Sequence, residues 1–151
     1  MKKLLLIFLC LPMIGFGQNV YIPGANFKAY LVGNWLINTN NDTEIQVSEA
    51  NSFSGSLDCS GQNIYDLTGI EAFTALTYLD CSNNKITSLN VSNNTALTYL
   101  YCQDNQLTSL DSRNGNNQNT LNFGAINNPL LTCINVDNVS YSTTNWTDID
   151  T

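Results

Sequence analysis

Two aspartates, four thiols and a file of tyrosines are the groups in this chain with most chemical scope. Asp58 and Asp80 sit in the same tetrapeptide, Leu-Asp-Cys-Ser, 22 residues apart. On neighbouring strands their carboxylates would lie about 5 Å apart, near the separation used by retaining glycosidases. A flat, solvated sheet offers no deep pocket and nothing to raise one of the two pKa values, so the pair is not read as catalytic. There is also no histidine. That removes the commonest general base, the Ser-His-Asp and Cys-His sites, and the commonest zinc ligand. The chain is not expected to be an enzyme.

A second cluster, Asn38 to Glu49 (NTNNDTEIQVSE), has the spacing of a twelve-residue calcium loop. Asn38, Asn40 and Asp42 fall at positions 1, 3 and 5, Glu44 at 7, and Glu49 at 12 as the bidentate ligand. Asn38 replaces the usual aspartate, and Thr43 stands where glycine normally makes the sharp turn. With Asp42 and Glu49 as the main charged ligands, any affinity belongs in the weak extracellular range, about 10⁻⁴ to 10⁻³ M. The alternative is an Asn/Asp-rich turn that closes without metal. No other cofactor is indicated.

What positions these groups is an internal repeat. Leu76, Leu79, Cys81, Asn84, Ile86 and Leu89 recur as Leu97, Leu100, Cys102, Asn105, Leu107 and Leu110, each 21 residues later. A fixed period near 20 is the mark of a stacked solenoid. Leu57, Cys59, Gln62, Ile64, Leu67 and Ile70 form an earlier copy, with Gln62 a poorer substitute for the asparagine. Leu121 continues the series, with Phe123 in the cysteine position. The frame then slips across Asn127, Asn128 and Pro129 before Leu131–Ile134. In the third copy Ser112 and Gln118 replace Val91 and Leu97, so its back half is expected to pack weakly.

Each copy supplies one short parallel strand, around 78–82 and 99–103. Alternation sends Leu79 and Cys81 inward and Tyr78, Asp80 and Ser82 outward. Asn84 and Asn105 fall where the chain bends, and their amides can satisfy backbone groups of the adjacent turn. Cys59, Cys81 and Cys102 share one core column and are expected to stack as small buried thiols. Cys133 has no obvious mate. The outward columns are Ser56, Tyr78, Tyr99, Thr120; Asp58, Asp80, Tyr101, Asn122; and Ser60, Ser82, Gln103, Gly124. Solenoids bind through such a face, and tyrosines beside Asp and Asn offer rigid amphipathic area with hydrogen bonds. Tyr78, Asp80, Ser82, Tyr99, Tyr101, Gln103 and Asp58 are the candidate ligand-binding residues. The other reading of Tyr78 and Tyr99 is a cross-strand stack that only stabilises the sheet.

The ends read differently. Residues 1–17 carry Lys2 and Lys3, an apolar run from Leu4 to about Ile14, and Gly15 and Gly17 before Gln18. That is the pattern of a secretory signal peptide, too short for a spanning helix. A lipoprotein reading at Cys10 lacks the small residue it needs, since Phe8 and Leu9 are large. Residues 18–55 read as an N-terminal cap. It would hold a short helix with Phe27, Tyr30 and Leu31 on one face, Asn26 as N-cap and Gly33 at its end, and Val20, Ile22, Trp35, Leu36 and Ile37 as further apolar cover. A second helix is expected over 48–53. Repeats fill 56–134, and 135–151 is a partial cap anchored by Tyr141, Trp146 and Ile149. The formal charge is −7 with 11% charged residues. An acidic chain with five Lys and Arg is a poor match for nucleic acid or an anionic membrane, and no membrane insertion is expected once the leader is cleaved.

The pattern LxxLxCxxNxLxxL, in three to four copies across roughly 56–134, resembles the leucine-rich-repeat family. The resemblance implies an α/β leucine-rich-repeat solenoid: a short parallel sheet on the concave face, a mostly irregular convex side and a small helical N-terminal cap. The segments IPGANFKAYLVGN, NTNNDTEIQVSEA, NNPLLTCI and YSTTNWTDID are similar to those of short secreted leucine-rich-repeat proteins of Bacteroidetes-type bacteria. Such relatives often run on past this tail, and Cys133 would pair with a residue that longer forms possess. The expected function is a secreted or cell-surface module recognising a protein or glycan through its concave face. The competing one is a structural or display segment of a larger surface protein, with no ligand of its own.

Overall fold

In the computed structural model, residues 17–149 are described. The expected leader lies almost wholly outside them. In chain order the elements are α1 (Ala25–Val32), α2 (Val47–Ser52), β1 (Ser56–Asp58), β2 (Tyr78–Asp80), β3 (Ser88–Asn90), β4 (Tyr99–Tyr101), β5 (Ser109–Asp111), β6 (Asn122–Gly124), β7 (Ile134–Asn135) and α3 (Val139–Asn145). Short 3-10 turns stand at Ile70–Ala72 and Asn117–Asn119.

The apolar half of the repeat makes the sheet. Leu57, Leu79, Leu100 and Phe123 are buried at the middle of β1, β2, β4 and β6, which run parallel in the order β1-β2-β4-β6. Parallel neighbours follow because each repeat returns the chain to the same side by a full turn. The convex side is mostly turns, with three short strands in the order β3-β5-β7 forming a second parallel sheet. Leu89 and Leu110 point from it into the shared core.

Asparagines join one turn of the solenoid to the next. The side-chain oxygens of Asn84, Asn105 and Asn128 accept from the Ile64, Ile86 and Leu107 amides of the preceding turns at 2.9–3.0 Å. Their amide nitrogens donate to carbonyls on two successive turns. Asn105 Nδ2, for example, reaches the Cys81 and Cys102 carbonyls at 3.0 and 3.1 Å. Buried backbone groups at each bend are thereby paired. The sharp bend itself falls one residue earlier, on Asn83, Asp104 and Asn127, with φ between 55° and 58°, and on Gly61 (φ 65°) ahead of Gln62, a region that Gly, Asn and Asp tolerate better than most side chains. Gln62 is exposed and its side chain donates to the Ser60 carbonyl of its own turn, as expected of a residue too long for the staple.

The fourth strand departs from the 21-residue frame. Phe123, expected in the cysteine column, pairs with Leu100 in the leucine column, and Leu121 is 66% exposed. Ala125 follows Phe123 into the core by strand alternation and takes the cysteine position. The third turn is two residues longer than the second, and Trp146 decides where that slack goes. Its ring stacks on Phe123 with centroids 4.0 Å apart and planes within 5°, so Phe123 is the side chain that core closure selects. The outward columns therefore end in Asn122, Gly124 and Ile126, in place of Thr120, Asn122 and Gly124.

In the third turn hydrogen bonds replace apolar packing. Asn114 Nδ2 donates to the Asn94 carbonyl at 3.1 Å and Asn116 Nδ2 to the Leu97 carbonyl at 3.0 Å. Asn117 Nδ2 donates to the Ser112 carbonyl, and its Oδ1 accepts the Asp137 amide, both at 2.6 Å. A small cavity remains beside Ser112, Val91 and Leu97.

The two ends are capped unequally. In the N-terminal cap Phe27, Leu31, Ile37 and Ile45 are buried, whereas Trp35 and Leu36, expected as core cover, are 76% and 56% exposed. Helix α1 starts from Gly24 rather than Asn26. A Cβ on Gly24 would stand 2.3 Å from the Asp66 carbonyl oxygen, so only glycine lets the chain approach there. Freed from capping, Asn26 donates to the Asn63 carbonyl at 2.7 Å, and the Tyr30 hydroxyl donates to the Asp58 carbonyl at 2.5 Å. At the other end Trp146 is buried on Phe123, Ile149 packs against the core and Asp148 bridges to Gly124 in parallel.

Candidate functional site

The outward residues of β1, β2 and β4 stand in register. Ser56, Tyr78 and Tyr99 form one row, and Asp58, Asp80 and Tyr101 the next. Tyr78 is the hub. Its ring lies 5.8 Å from Tyr99, directly opposite, and 5.7 Å from Tyr101, on the diagonal. Both contacts are tilted, at 38° and 54°. All three rings are half-buried, so they support one another and still present their faces. The Tyr78 hydroxyl is pushed above the usual phenol range, first by burial, then by the charges of Asp80 and Asp58.

Asp58 and Asp80 share a local geometry. Oδ1 of each accepts the amide and the hydroxyl of the serine two residues on: Ser60 at 3.1 and 2.7 Å, Ser82 at 2.9 and 2.6 Å. Those bonds hold both side chains against their own turns, with Oδ2 of each free of any described donor. Ser82 is buried by this role and serves to orient Asp80. Gln103 takes the serine position in the next turn, where Tyr101 replaces the aspartate. Its Oε1 is buried and accepts no hydrogen bond among the described residues.

Behind this face lie the thiols. Cys59, Cys81 and Cys102 are buried in one column on successive strands, each backbone amide donating at 2.8 Å to the next strand. The Cys81 and Cys102 thiols donate to the Tyr101 and Gly124 carbonyls at 3.4 Å. None is disulfide-bonded. Burial is the chief cause that raises all three, Cys59 and Cys102 to about 12 and Cys81 well above its usual value. They are inert packing groups. Cys133 is exposed and far from this column in sequence.

In the loop from Asn38 to Glu49 the protein supplies the donors. Glu49 Oε1 accepts the Thr39 amide and hydroxyl at 2.8 and 2.9 Å and the Asn40 amide at 3.2 Å, while Oε2 accepts the Gln46 amide at 3.0 Å. Asp42 accepts the Glu44 amide at 2.7 Å and the Asn40 and Gln46 side-chain amides. Glu44 turns to Lys28, 2.6 Å away. Asn38 Nδ2 donates to the Val32 and Asp42 carbonyls at 3.0 and 2.9 Å, and its buried Oδ1 has no described partner. Among the described residues no three Asp, Glu or Cys side chains gather as a metal site.

This geometry recurs in known proteins. Over 83% of the chain, the fold superposes on the functional domain of InlJ from Listeria monocytogenes, which includes a cysteine ladder, with a TM-score of 0.60 and 32% identity. The chain is a leucine-rich-repeat protein. Internalin J of L. monocytogenes serotype 4b is 36% identical to this leucine-rich-repeat chain over 77 residues. An internalin, InlF, from L. monocytogenes strain 4b F2365 superposes over 85% of it with a TM-score of 0.60 at 21% identity, a likeness of fold. The repeat chain spans 8% of Internalin J and about a third of the two solved chains, 31% and 36%. No protein-family profile matches it.

Proposed function

We propose that this internalin-like repeat domain is an exported binding module that recognises a protein or glycan through its concave face. The observation that carries the reading is the Tyr78–Tyr99–Tyr101 cluster: three half-buried rings, with Tyr78 at 5.8 Å from Tyr99 and 5.7 Å from Tyr101, flanked by Asp58 and Asp80 and mounted on a rigid parallel sheet. Rigid aromatic anchors lose little conformational entropy on binding, and a sheet fixes their spacing better than a loop. The lysine-flanked apolar leader supports export.

Replacing Tyr78, Tyr99 and Tyr101 together by serine tests the site. The wild-type chain, residues 18–151, is expected to capture a partner from host or bacterial surface extracts, and the triple variant to lose it while keeping its melting transition. A partner that stays bound to the triple variant would sink the concave-face reading. Capture of nothing specific by either protein would favour the display-segment role.

A further inference from the structure

The concave face carries aromatic rings and acceptors, and the described cations are all elsewhere. Lys2 and Lys3 fall in the expected leader, outside the described residues. Lys28 is bound to Glu44 in the N-terminal cap. Lys85 donates to the Tyr65 hydroxyl at 2.9 Å and lies 5.1 Å from that ring. Arg113 forks onto Asp111 on the convex side, its two nitrogens at 2.9 and 2.6 Å. No described cation is left to neutralise Asp58 and Asp80, whose Oδ2 atoms receive no described donor.

The acceptors continue along the sheet. Gly124 has no Cβ, and three groups converge on the space one would fill: Gln103 Oε1 at 3.0 Å, Asp148 Oδ2 at 3.3 Å and Tyr101 Cδ1 at 3.3 Å. Gln103 Oε1 is one of the few buried polar atoms without a partner among the described residues. That oxygen is buried beneath the face and is not offered to a partner. What the face presents is the Asp58 and Asp80 carboxylates beside the three tyrosine rings.

The geometry points to the occupant: a lysine or, better, an arginine side chain of a partner protein, its cation over the Tyr78–Tyr99–Tyr101 rings and its N–H groups on Asp58 and Asp80. A guanidinium is planar, stacks on aromatic faces and donates from several nitrogens at once. A glycan hydroxyl brings no charge to neutralise the two aspartates. The surrounding field favours the same partner, since residues 18–151 hold three cationic side chains against twelve carboxylates, and acidic surfaces steer basic ones. This inference rests on the concave face being the binding surface.

The test uses the chain from residue 18 with ¹³C-labelled tyrosine and two capped peptides, Gly-Arg-Gly-Arg-Gly and its citrulline counterpart, which keeps the shape and removes the charge. Titration with the arginine peptide is expected to shift the Tyr78, Tyr99 and Tyr101 ring signals, with affinity falling as salt is added. The citrulline peptide should bind at least about tenfold more weakly, and Asp80→Asn should weaken the arginine peptide several-fold with the rings otherwise unmoved. Equal binding of the two peptides would overturn the inference, as would a chito-oligosaccharide that shifts the same rings when the arginine peptide does not. If the serine triple variant loses its captured partner but excess arginine peptide fails to displace that partner from wild type, the concave site stands and the cationic occupant is wrong. If the partner stays on the triple variant, both readings fall.

Discussion

Tyr78 and Tyr101 touch on the diagonal, 5.7 Å between ring centroids, although Tyr78 is paired in register with Tyr99 and Tyr101 with Asp80. The diagonal contact makes a compact three-ring cluster out of what would otherwise be a two-ring ladder. Such pairs contribute about 0.5–1.5 kcal/mol each. A double-mutant cycle on Tyr78→Ala and Tyr101→Ala should return a coupling of that size by chemical denaturation. A coupling near zero would mean that the rings are independent and the surface is softer than it looks.

The asparagine staples should matter more than any surface ring. Asn105→Ala removes an acceptor for the Ile86 amide and a donor to the Cys81 and Cys102 carbonyls, all buried between turns. Leaving these groups unpaired is expected to cost about 3 kcal/mol. Gln62→Ala, on the exposed turn of the first repeat, should cost under about 0.5 kcal/mol. Comparable losses for the two variants would contradict the staple role.

Trp146 is the predicted weak point of the C-terminal end. Trp146→Ala takes away the ring stacked on Phe123 and should lower stability by about 3–5 kcal/mol. Because Phe123 then loses the contact that holds it in the leucine column, amide exchange should rise first in β6. Uniform exchange throughout the solenoid would show instead that the turns unfold as one unit.

The thiol column predicts an alkaline limit. Cys59 and Cys102 are raised to about 12 and Cys81 is raised as well, from an unfolded value near 8.5. The folded state therefore keeps protons that the unfolded chain gives up. The stabilisation is complete below about pH 8.5 and is lost as pH climbs toward 12, at roughly 1 kcal/mol per pH unit for each thiol. Replacing all three by alanine should flatten the dependence of melting temperature on pH above 9, whatever it does to stability at neutral pH. In the native chain from residue 18 iodoacetamide should label Cys133 alone, and labelling of Cys59, Cys81 or Cys102 without unfolding would contradict their burial.

Glu49 is expected to hold the cap loop through the Thr39, Asn40 and Gln46 donors, and we propose that this closure needs no metal. Glu49→Gln should lower the melting temperature equally with and without millimolar calcium. A wild-type melting temperature that rises with calcium, and a variant that ignores it, would favour the calcium-loop reading. The Glu44 amide holds the Asp42 carboxyl below the ordinary carboxylate range. Its contribution is therefore present above about pH 4 and fades as pH falls further.

Much of this protein could be read from residue spacing. Where Leu79, Cys81, Asn84 and Ile86 repeat as Leu100, Cys102, Asn105 and Leu107, each side chain has an equivalent neighbour one turn away. Local pattern and tertiary contact then coincide, and strands, thiol column and staples follow from periodicity. The fourth strand and the outer cap did not follow. Nor does spacing show that Glu49 accepts the backbone amides of Thr39, Asn40 and Gln46. Phe123 and Leu121 are equally apolar and two residues apart, so nothing local distinguishes their registers; the choice was made by Trp146, which arrives from more than 20 residues away. Trp35 and Leu36 are exposed because Phe27, Leu31 and Ile37 already fill the one core layer that the cap must cover. Likewise the sequence alone placed Tyr78, Tyr99 and Tyr101 on one face, whereas the diagonal approach that gathers them beside Asp58 and Asp80 depends on how neighbouring strands pack, which only the tertiary structure decides.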